Sequence, residues 1–207
     1  MYALLRLHFD LQKKTLLFVL VALFVILILM FNSIMIPTNL PVLTFILSMN
    51  LSNSSTFLSN KNFYYILHTM PIKREHIVKS SAFFSSLIII IFFAIPLPFQ
   101  IRFGIANEEL QEYLAIFTGF FSSSLLVNVV QHYFIFTNEK LEIHSTENIL
   151  AVFGSITFVI VPHAIICLSG SEETFYIRMM IMPLITCLLC YVILKKTIKH
   201  YNNKEIM

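Results

Sequence analysis

Residues 80–101 read SSAFFSSLIIIIFFAIPLPFQI and contain no charged side chain. About 20 apolar residues in a helix span the hydrocarbon core of a bilayer, so this stretch is long enough to cross a membrane once. Residues 88–93, near its centre, are entirely apolar. Pro96 and Pro98 are expected to break or bend the helix near its end. The stretch therefore predicts a membrane-spanning helix with bent last turns.

The composition of the whole chain is that of a membrane protein. Of its 207 residues, 57% are hydrophobic and only 12% are charged, too few charges to cover the surface of a water-soluble domain. The sequence predicts an all-α membrane protein, one transmembrane domain over residues 1–207, with residues 1–14 as an amphipathic helix at the membrane surface. Six transmembrane helices are predicted, at about residues 15–36, 38–58, 80–101, 113–136, 149–168 and 175–194.

Lysine and arginine are distributed unevenly between the two sides of this predicted topology. Because cytoplasmic loops of membrane proteins are enriched in Lys and Arg, both termini are predicted to be cytoplasmic. This segregation by side is typical of membrane topology and not of nucleic-acid binding. Only Arg102 and Arg178 fall on the outer side, and twelve fall on the inner side: Arg6, Lys13, Lys14, Lys61, Lys73, Arg74, Lys79, Lys140, Lys195, Lys196, Lys199 and Lys204.

The sequence carries no motif for nucleotide hydrolysis. A P-loop needs clustered glycines followed by Lys and Ser or Thr, whereas the four glycines here are isolated and none precedes such a lysine. The three cysteines, Cys167, Cys187 and Cys190, lie in apolar stretches and are interpreted as packing residues, not as metal ligands or redox groups. We therefore expect a chain that is not an enzyme and holds no metal or cofactor of its own.

The segment from Glu172 to Arg178 resembles the E-E-x-x-x-R element of membrane-embedded CAAX-type proteases. Arg178 comes one residue late, which turns its side chain by about 100° around a helix, and no F-x-x-x-H element follows. The favoured interpretation is an acidic outer turn with an arginine whose charged end reaches the membrane interface. An intramembrane protease is the less favoured alternative.

Several crossings carry polar side chains at helical spacing. Ser124, Asn128, Gln131 and His132 share one face of the fourth crossing, and the second crossing has a similar face. His163 follows Pro162, where a kink would free backbone groups. These side chains either line a substrate path or form hydrogen bonds between helices, and the second interpretation is favoured. The candidates for a substrate path are Ser48, Ser52, Asn128, Gln131, His132 and His163.

The loop before the third crossing, LHTMPIKREHIVKS at residues 67–80, carries the most informative pattern. Pro71 can start a helix. The N–H groups of the first turn have no partner within the helix, so a proline there loses no hydrogen bond. Ile72, Glu75, His76 and Lys79 then follow at helical spacing and predict a short amphipathic segment that joins the third crossing directly. The alternative is a basic anchor that only fixes the topology.

This loop resembles the L-x-x-x-P-[IV]-[KS]-R-x-x-I-V-x-[KS] signature that follows the second crossing of small ABC-2-type permeases. The resemblance implies a coupling helix that seats on a separate ATP-binding cassette subunit, which would bind ATP and Mg²⁺. The loop at residues 137–148 would supply a second, weaker contact. The main contact would be formed by Met70, Pro71, Ile72, Lys73, Arg74, Glu75 and His76.

Small size makes the chain most similar to permeases that export amphipathic peptides, such as the phenol-soluble modulin and lantibiotic immunity exporters. That likeness implies a multi-pass protein of the bacterial cytoplasmic membrane, with an amphipathic or antimicrobial-type peptide as substrate. A second permease copy, or a homologous permease, would complete the transport path. A second hypothesis is a stand-alone membrane immunity or sensor protein that binds a peptide without transporting it.

Overall fold

A computed structural model describes residues 40–54, 72–137 and 146–203, together with isolated positions between Leu4 and Phe24. Nearly all of these residues are helical, and none of them lies in a β-strand. One turn of 3₁₀ helix, Glu172–Thr174, precedes the last helix. The helices are α1 (Leu40–Ser54), α2 (Arg74–Ala94), α3 (Leu97–Ala106), α4 (Leu110–Thr137), α5 (Thr146–Leu168) and α6 (Phe175–Asn203).

Four helical segments are long and apolar enough to cross a membrane: Arg74–Ala106, Leu110–Thr137, Ile149–Leu168 and Glu172–Asn203. They coincide with the predicted third to sixth crossings. The all-helical fold is thus confirmed and a membrane protein is indicated, whereas six crossings and cytoplasmic termini stay predictions. Helix α1, of which 15 residues are described, lies inside the predicted second crossing. The predicted first crossing and the surface helix at residues 1–14 fall largely outside the described residues.

The predicted break in the third crossing is present at Pro96. Helix α2 ends at Ala94, and α3 begins at Leu97 after a turn at Ile95 and Pro96. Proline has no N–H to donate and its ring clashes with the carbonyl four residues earlier. Pro98 lies in the first turn of α3, where a missing N–H leaves no hydrogen bond unmade.

Helix α4 is the centre of the described bundle, because it packs against α1, α2, α3, α5 and α6. Small buried residues on α4, Gly119 and the run at residues 122–124, allow the neighbouring helices to approach closely. Toward α2, the ring of Phe93 meets those of Phe117 and Phe121 edge-on at 5.3 and 5.4 Å. Toward α5 and α6, Leu126 packs in a cluster with Val159 and Met182.

Helices α5 and α6 expose large apolar side chains on their outer faces. In an apolar 18-residue stretch of each of these two helices, only 17% is buried within the protein, compared with 56% in the corresponding stretch of α4. Apolar surface of this extent is rare on water-soluble monomers, but it matches a surface that faces lipid. The exposed side chains include Phe153, Phe158 and Ile165 on α5 and Ile177, Leu184 and Leu188 on α6.

The two ends of the bundle carry opposite charge. The start of α2 lies beside the end of α6, since the guanidinium of Arg74 donates to the backbone carbonyl of Tyr201 over 3.3 Å. We call this the basic end, with Lys73, Arg74, Lys79, Lys195, Lys196 and Lys199. The opposite, acidic end holds Glu108, Glu109, Glu112, Glu172 and Glu173.

Gly104 makes the tight passage from α3 to α4 possible, because an added Cβ would lie 2.8 Å from the Cα of Leu110. We expect Gly104→Ala to reduce the free energy of unfolding by about 1–3 kcal/mol, the usual cost of overpacking. The measurement is the thermal midpoint of helix loss, followed by circular dichroism in detergent. Gly154→Ala is the matched control, since an added Cβ there meets no heavy atom within 4 Å. Equal midpoints for the two variants would contradict the prediction.

Candidate functional site

A polar network joins α2 and α4 inside the bundle. Nδ1 of His132 lies 2.8 Å from the carbonyl oxygen of Asn128. A carbonyl oxygen can only accept, so Nδ1 carries the proton and Nε2 of the neutral ring is an acceptor. The hydroxyl of Ser81 donates to Nε2 over 3.0 Å. Ser85, with its Oγ 3.4 Å from the same nitrogen, donates to the carbonyl oxygen of Ser81 over 2.8 Å.

The predicted polar face of α4 divides into two parts. Asn128 donates from Nδ2 to the hydroxyl of Ser86 on α2 over 3.3 Å, so Asn128 and His132 both bond across the α2–α4 interface. Ser124 bonds the carbonyl of Phe120 in its own helix. Gln131 is buried, and its Oε1 has no hydrogen-bond partner among the described residues. Interhelical hydrogen bonding therefore accounts for two members of the face but not for Gln131.

The remaining residues of the predicted path lie elsewhere. Ser48 is buried in α1 and donates to the carbonyl of Phe45 over 2.9 Å, and the side chain of Ser52 falls outside the described part of α1. His163 contacts Ala115 on α4, 13 residues before Asn128. At 1.5 Å per residue these positions are about 20 Å apart. The structure thus places His132 and His163 in two separate clusters.

His163 is anchored on α4 near the acidic end. Its Nε2 lies 2.9 Å from the carbonyl oxygen of Ala115 and therefore donates to it. The hydroxyl of Thr118 is 3.0 Å from the same nitrogen. An added Cβ at Gly119 would lie 3.0 Å from Cδ2 of the ring, so this glycine makes room for the imidazole. Nδ1 of His163 is buried and has no hydrogen-bond partner within the described segments.

Arg178 folds back onto the end of α5. Its Nη1 donates to the carbonyls of Ile166 and Cys167 over 2.9 Å each and to the carbonyl of Ser169. Its Nη2 donates to the carbonyl of Ser171 over 2.6 Å. The last carbonyls of a helix lack partners within the helix, and a cation there also interacts favourably with the helix dipole. Arg178 therefore caps α5, and its predicted position at the membrane interface stays a prediction.

Gly170 completes this cap. It has a φ of +110°, and an added Cβ would lie 3.2 Å from Cζ of Arg178. Only glycine adopts this backbone conformation without strain. Glu172 and Glu173, in the turn that follows, are both exposed.

A cavity of about 530 Å³ opens between α4, α5 and the start of α6 at the acidic end. Its volume is within the range of small-molecule binding sites. Its polar lining includes Glu112, His163, Glu172 and Arg178, and its apolar lining includes Phe120, Ile160 and Phe175. This cavity was not predicted from the sequence, because it depends on how three helices pack.

At the basic end, the second half of the predicted coupling segment belongs to the spanning helix α2. Ile72 and Lys73 are not helical, and α2 starts at Arg74 instead of Pro71. Lys73 has extended backbone angles (φ −63°, ψ 130°), and its carbonyl accepts the N–H of His76 over 2.9 Å. Arg74, Glu75 and His76 thus form the first turn of α2. Met70 and Pro71 lie outside the described residues.

This first turn is fixed to the ends of two other helices. Ile77 and Val78 pack against Phe136 of α4 and Tyr201 of α6, whose rings meet edge-on at 4.9 Å. Arg74 donates to the last carbonyls of α6, and Glu75 is paired with Lys79. A displacement of the first turn of α2 would therefore act on α4 and α6 as well.

No protein-family model, curated protein or solved structure matches this chain. Within the described residues, no three His, Cys, Asp or Glu side chains lie close enough together to hold a metal ion. Two clusters and one cavity therefore remain as candidate functional features: the α2–α4 network, the basic end, and the cavity at the acidic end.

Removal of the Ser81 hydroxyl tests the α2–α4 network. In Ser81→Ala, Nε2 of His132 loses its closest donor, and we expect a stability loss of about 0.6–2 kcal/mol, typical of interhelical hydrogen bonds in membranes. Thr157→Ala is the control, because this exposed hydroxyl donates to the Phe153 carbonyl of its own helix and makes no bond to another described helix. Thermal midpoints in detergent measure both variants. A midpoint for Ser81→Ala no lower than that of the control would contradict the assignment.

Replacement of Arg74 tests the basic end. Arg74→Gln removes the charged donor at the carbonyls of Tyr201 and Asn202, so amide exchange in the last turn of α6 should become about tenfold faster. Hydrogen–deuterium exchange read by mass spectrometry measures this change. Lys73→Gln serves as control, since Lys73 is exposed and makes no side-chain capping bond. Unchanged exchange in α6 of the Arg74 variant would show that Arg74 does not hold this helix end.

Proposed function

We propose that this chain is the transmembrane permease subunit of an ABC exporter in the bacterial cytoplasmic membrane. The observation that carries the proposal is the loop pattern at residues 67–80 together with its attachment to the bundle. The described part of this pattern runs directly into α2 and is fixed to α4 and α6 through Arg74, Ile77 and Val78. A loop joined in this way can transmit force from a partner protein to three helices.

In this proposal a separate ATP-binding cassette subunit docks at the basic end, which then faces the cytoplasm. Lys73 is exposed beside the first turn of α2 and offers a contact for the partner. ATP and Mg²⁺ are bound by that subunit, and the chain described here supplies no catalytic group. Nucleotide-driven movement reaches the first turn of α2 and, through the basic-end contacts, α4 and α6.

The substrate in this proposal is an amphipathic peptide. A single small bundle encloses little space, so the path is shared with a second permease copy or a homologous permease. Gln131 of α4, whose Oε1 has no hydrogen-bond partner among the described residues, remains a candidate for contact with substrate. His132 and Asn128 instead hold α2 and α4 together, which keeps the path wall rigid during transport.

Co-purification tests the docking site without disturbing the bundle. Arg74 is unsuitable for charge reversal because it also bonds α6, whereas Lys73 is exposed and makes no capping bond. We expect Lys73→Glu to reduce the amount of co-purified ATP-binding subunit by about tenfold or more, since like charges across an interface are strongly unfavourable. The partner used is the product of a reading frame with Walker A and B motifs, to be sought beside this chain's gene, and Lys199→Glu is the control at an exposed lysine of the same end.

Each result of this experiment has a defined meaning. Retention of the partner by wild type and Lys199→Glu, with loss in Lys73→Glu, supports the coupling site. If all three proteins retain the ATP-binding subunit equally, the subunit does not dock at Lys73. If wild type retains no ATP-binding subunit, the exporter proposal fails and a stand-alone immunity or sensor protein becomes the better explanation.

A further inference from the structure

The cavity at the acidic end has no part in the proposed coupling, which takes place at the opposite end of the bundle. Its walls come from α4, α5, the following turn and α6. Small residues create the space, with Ala115 and Gly119 on α4 and Ala164 on α5 in the lining. The apolar side chains of Ile116, Phe120, Ile160, Leu168 and Phe175 form most of the remaining wall. An apolar molecule or chain fits such walls.

The charges of the lining favour a cation. Glu112 and Glu172 are exposed carboxylates in the lining, and Arg178 is its one cationic residue. The guanidinium of Arg178 is directed at the carbonyls that end α5, and none of its hydrogen bonds within the described residues goes to a carboxylate. The cavity therefore has a net formal charge of −1 with histidine neutral, and its two carboxylates remain available to a ligand.

The imidazole of His163 forms part of the polar wall of the cavity. Its side chain lines the cavity and is only 3% exposed. Because Nε2 donates to Ala115, Nδ1 of the neutral ring is an acceptor, and it has no partner among the described residues. A buried acceptor without a donor is unfavourable. This nitrogen is itself covered by protein atoms, so His163 contributes to the wall of the cavity and its Nδ1 is not exposed to a ligand.

We propose that the cavity binds a cationic amphiphile, with an ammonium group at Glu112 and Glu172 and an apolar chain against Phe120, Ile160 and Phe175. This inference names the charge class of the exported substrate, and to that extent it rests on the proposed function. As a statement about binding it is tested on this chain alone, without the ATP-binding subunit. Failure of the exporter proposal would therefore leave the result of the binding experiment unchanged.

Photoaffinity labelling provides the test. The full chain is placed in phosphatidylcholine nanodiscs and irradiated with a diazirine-bearing dodecylamine, and labelled residues are located by mass spectrometry. We expect labels in the cavity lining. Dodecylamine without the diazirine should suppress this labelling, whereas dodecanol, which has the same chain but no charge, should not. In Glu112→Gln/Glu172→Gln, half suppression should require about tenfold more dodecylamine, equal to about 1.4 kcal/mol.

The control variant is Glu109→Gln/Glu173→Gln, which removes two exposed carboxylates of the same end that do not line the cavity. It should behave as wild type. Labels restricted to the lipid-facing surfaces of α5 and α6 would overturn the proposal. Suppression by dodecanol as strong as that by dodecylamine would also overturn it, as would equal behaviour of the two double variants.

Two further arms identify the source of the cation. A lysine-containing amphipathic peptide is added to phosphatidylcholine nanodiscs, and in parallel phosphatidylethanolamine replaces part of the phosphatidylcholine without any peptide. Suppression by the peptide assigns the cavity to peptide, and suppression by the lipid assigns it to a primary-amine headgroup. If dodecylamine suppresses the labelling but neither the peptide nor phosphatidylethanolamine does, neither source supplies the occupant and the proposal is overturned.

Discussion

Helix α4 carries the side chains of Asn128, Gln131 and His132 into the buried interior of the bundle. In hydrocarbon each polar group must find its partner within the protein, and α2 provides those partners through serine hydroxyls for Asn128 and His132. This requirement fixes how α2 lies along α4. Because α4 also contacts α1, α3, α5 and α6, the positions of the other described helices follow from the same helix.

Much of the fold could be predicted because membrane helices depend on local properties. Hydropathy located the third to sixth crossings, and the missing N–H of Pro96 located the break. Prediction was wrong where backbone geometry or distant contacts decide. The helix expected at Pro71 begins at Arg74, since Lys73 adopts extended angles. The capping of α5 by Arg178 was not predicted, because this role depends on where the preceding helix ends.

The candidate sites were predictable only in part for the same reason. The spacing of Asn128 and His132 placed both on one face, but the sequence could not show which helix that face meets. The cavity was missed because it depends on the packing of three helices. Gly119 and Ala164 are too small to fill the space between them. The sequence also gave no means of separating the surroundings of His132 from those of His163. The sequence thus identified polar side chains that could form hydrogen bonds, but only the packing of the helices determined which of them lie together.

Helix α6 has 29 residues and is about 44 Å long, whereas the hydrocarbon core is about 30 Å thick. Its apolar part ends near residue 194, so the part from Lys195 to Asn203 extends beyond the hydrocarbon. In a bilayer whose hydrocarbon covers the apolar part of α6, the contact between Arg74 and the end of α6 would lie at the depth of the lipid headgroups. Anionic lipids create a negative surface potential there that decays within a Debye length. The lipid composition of the leaflet is consequently part of the electrostatic environment in which α2 and α6 meet.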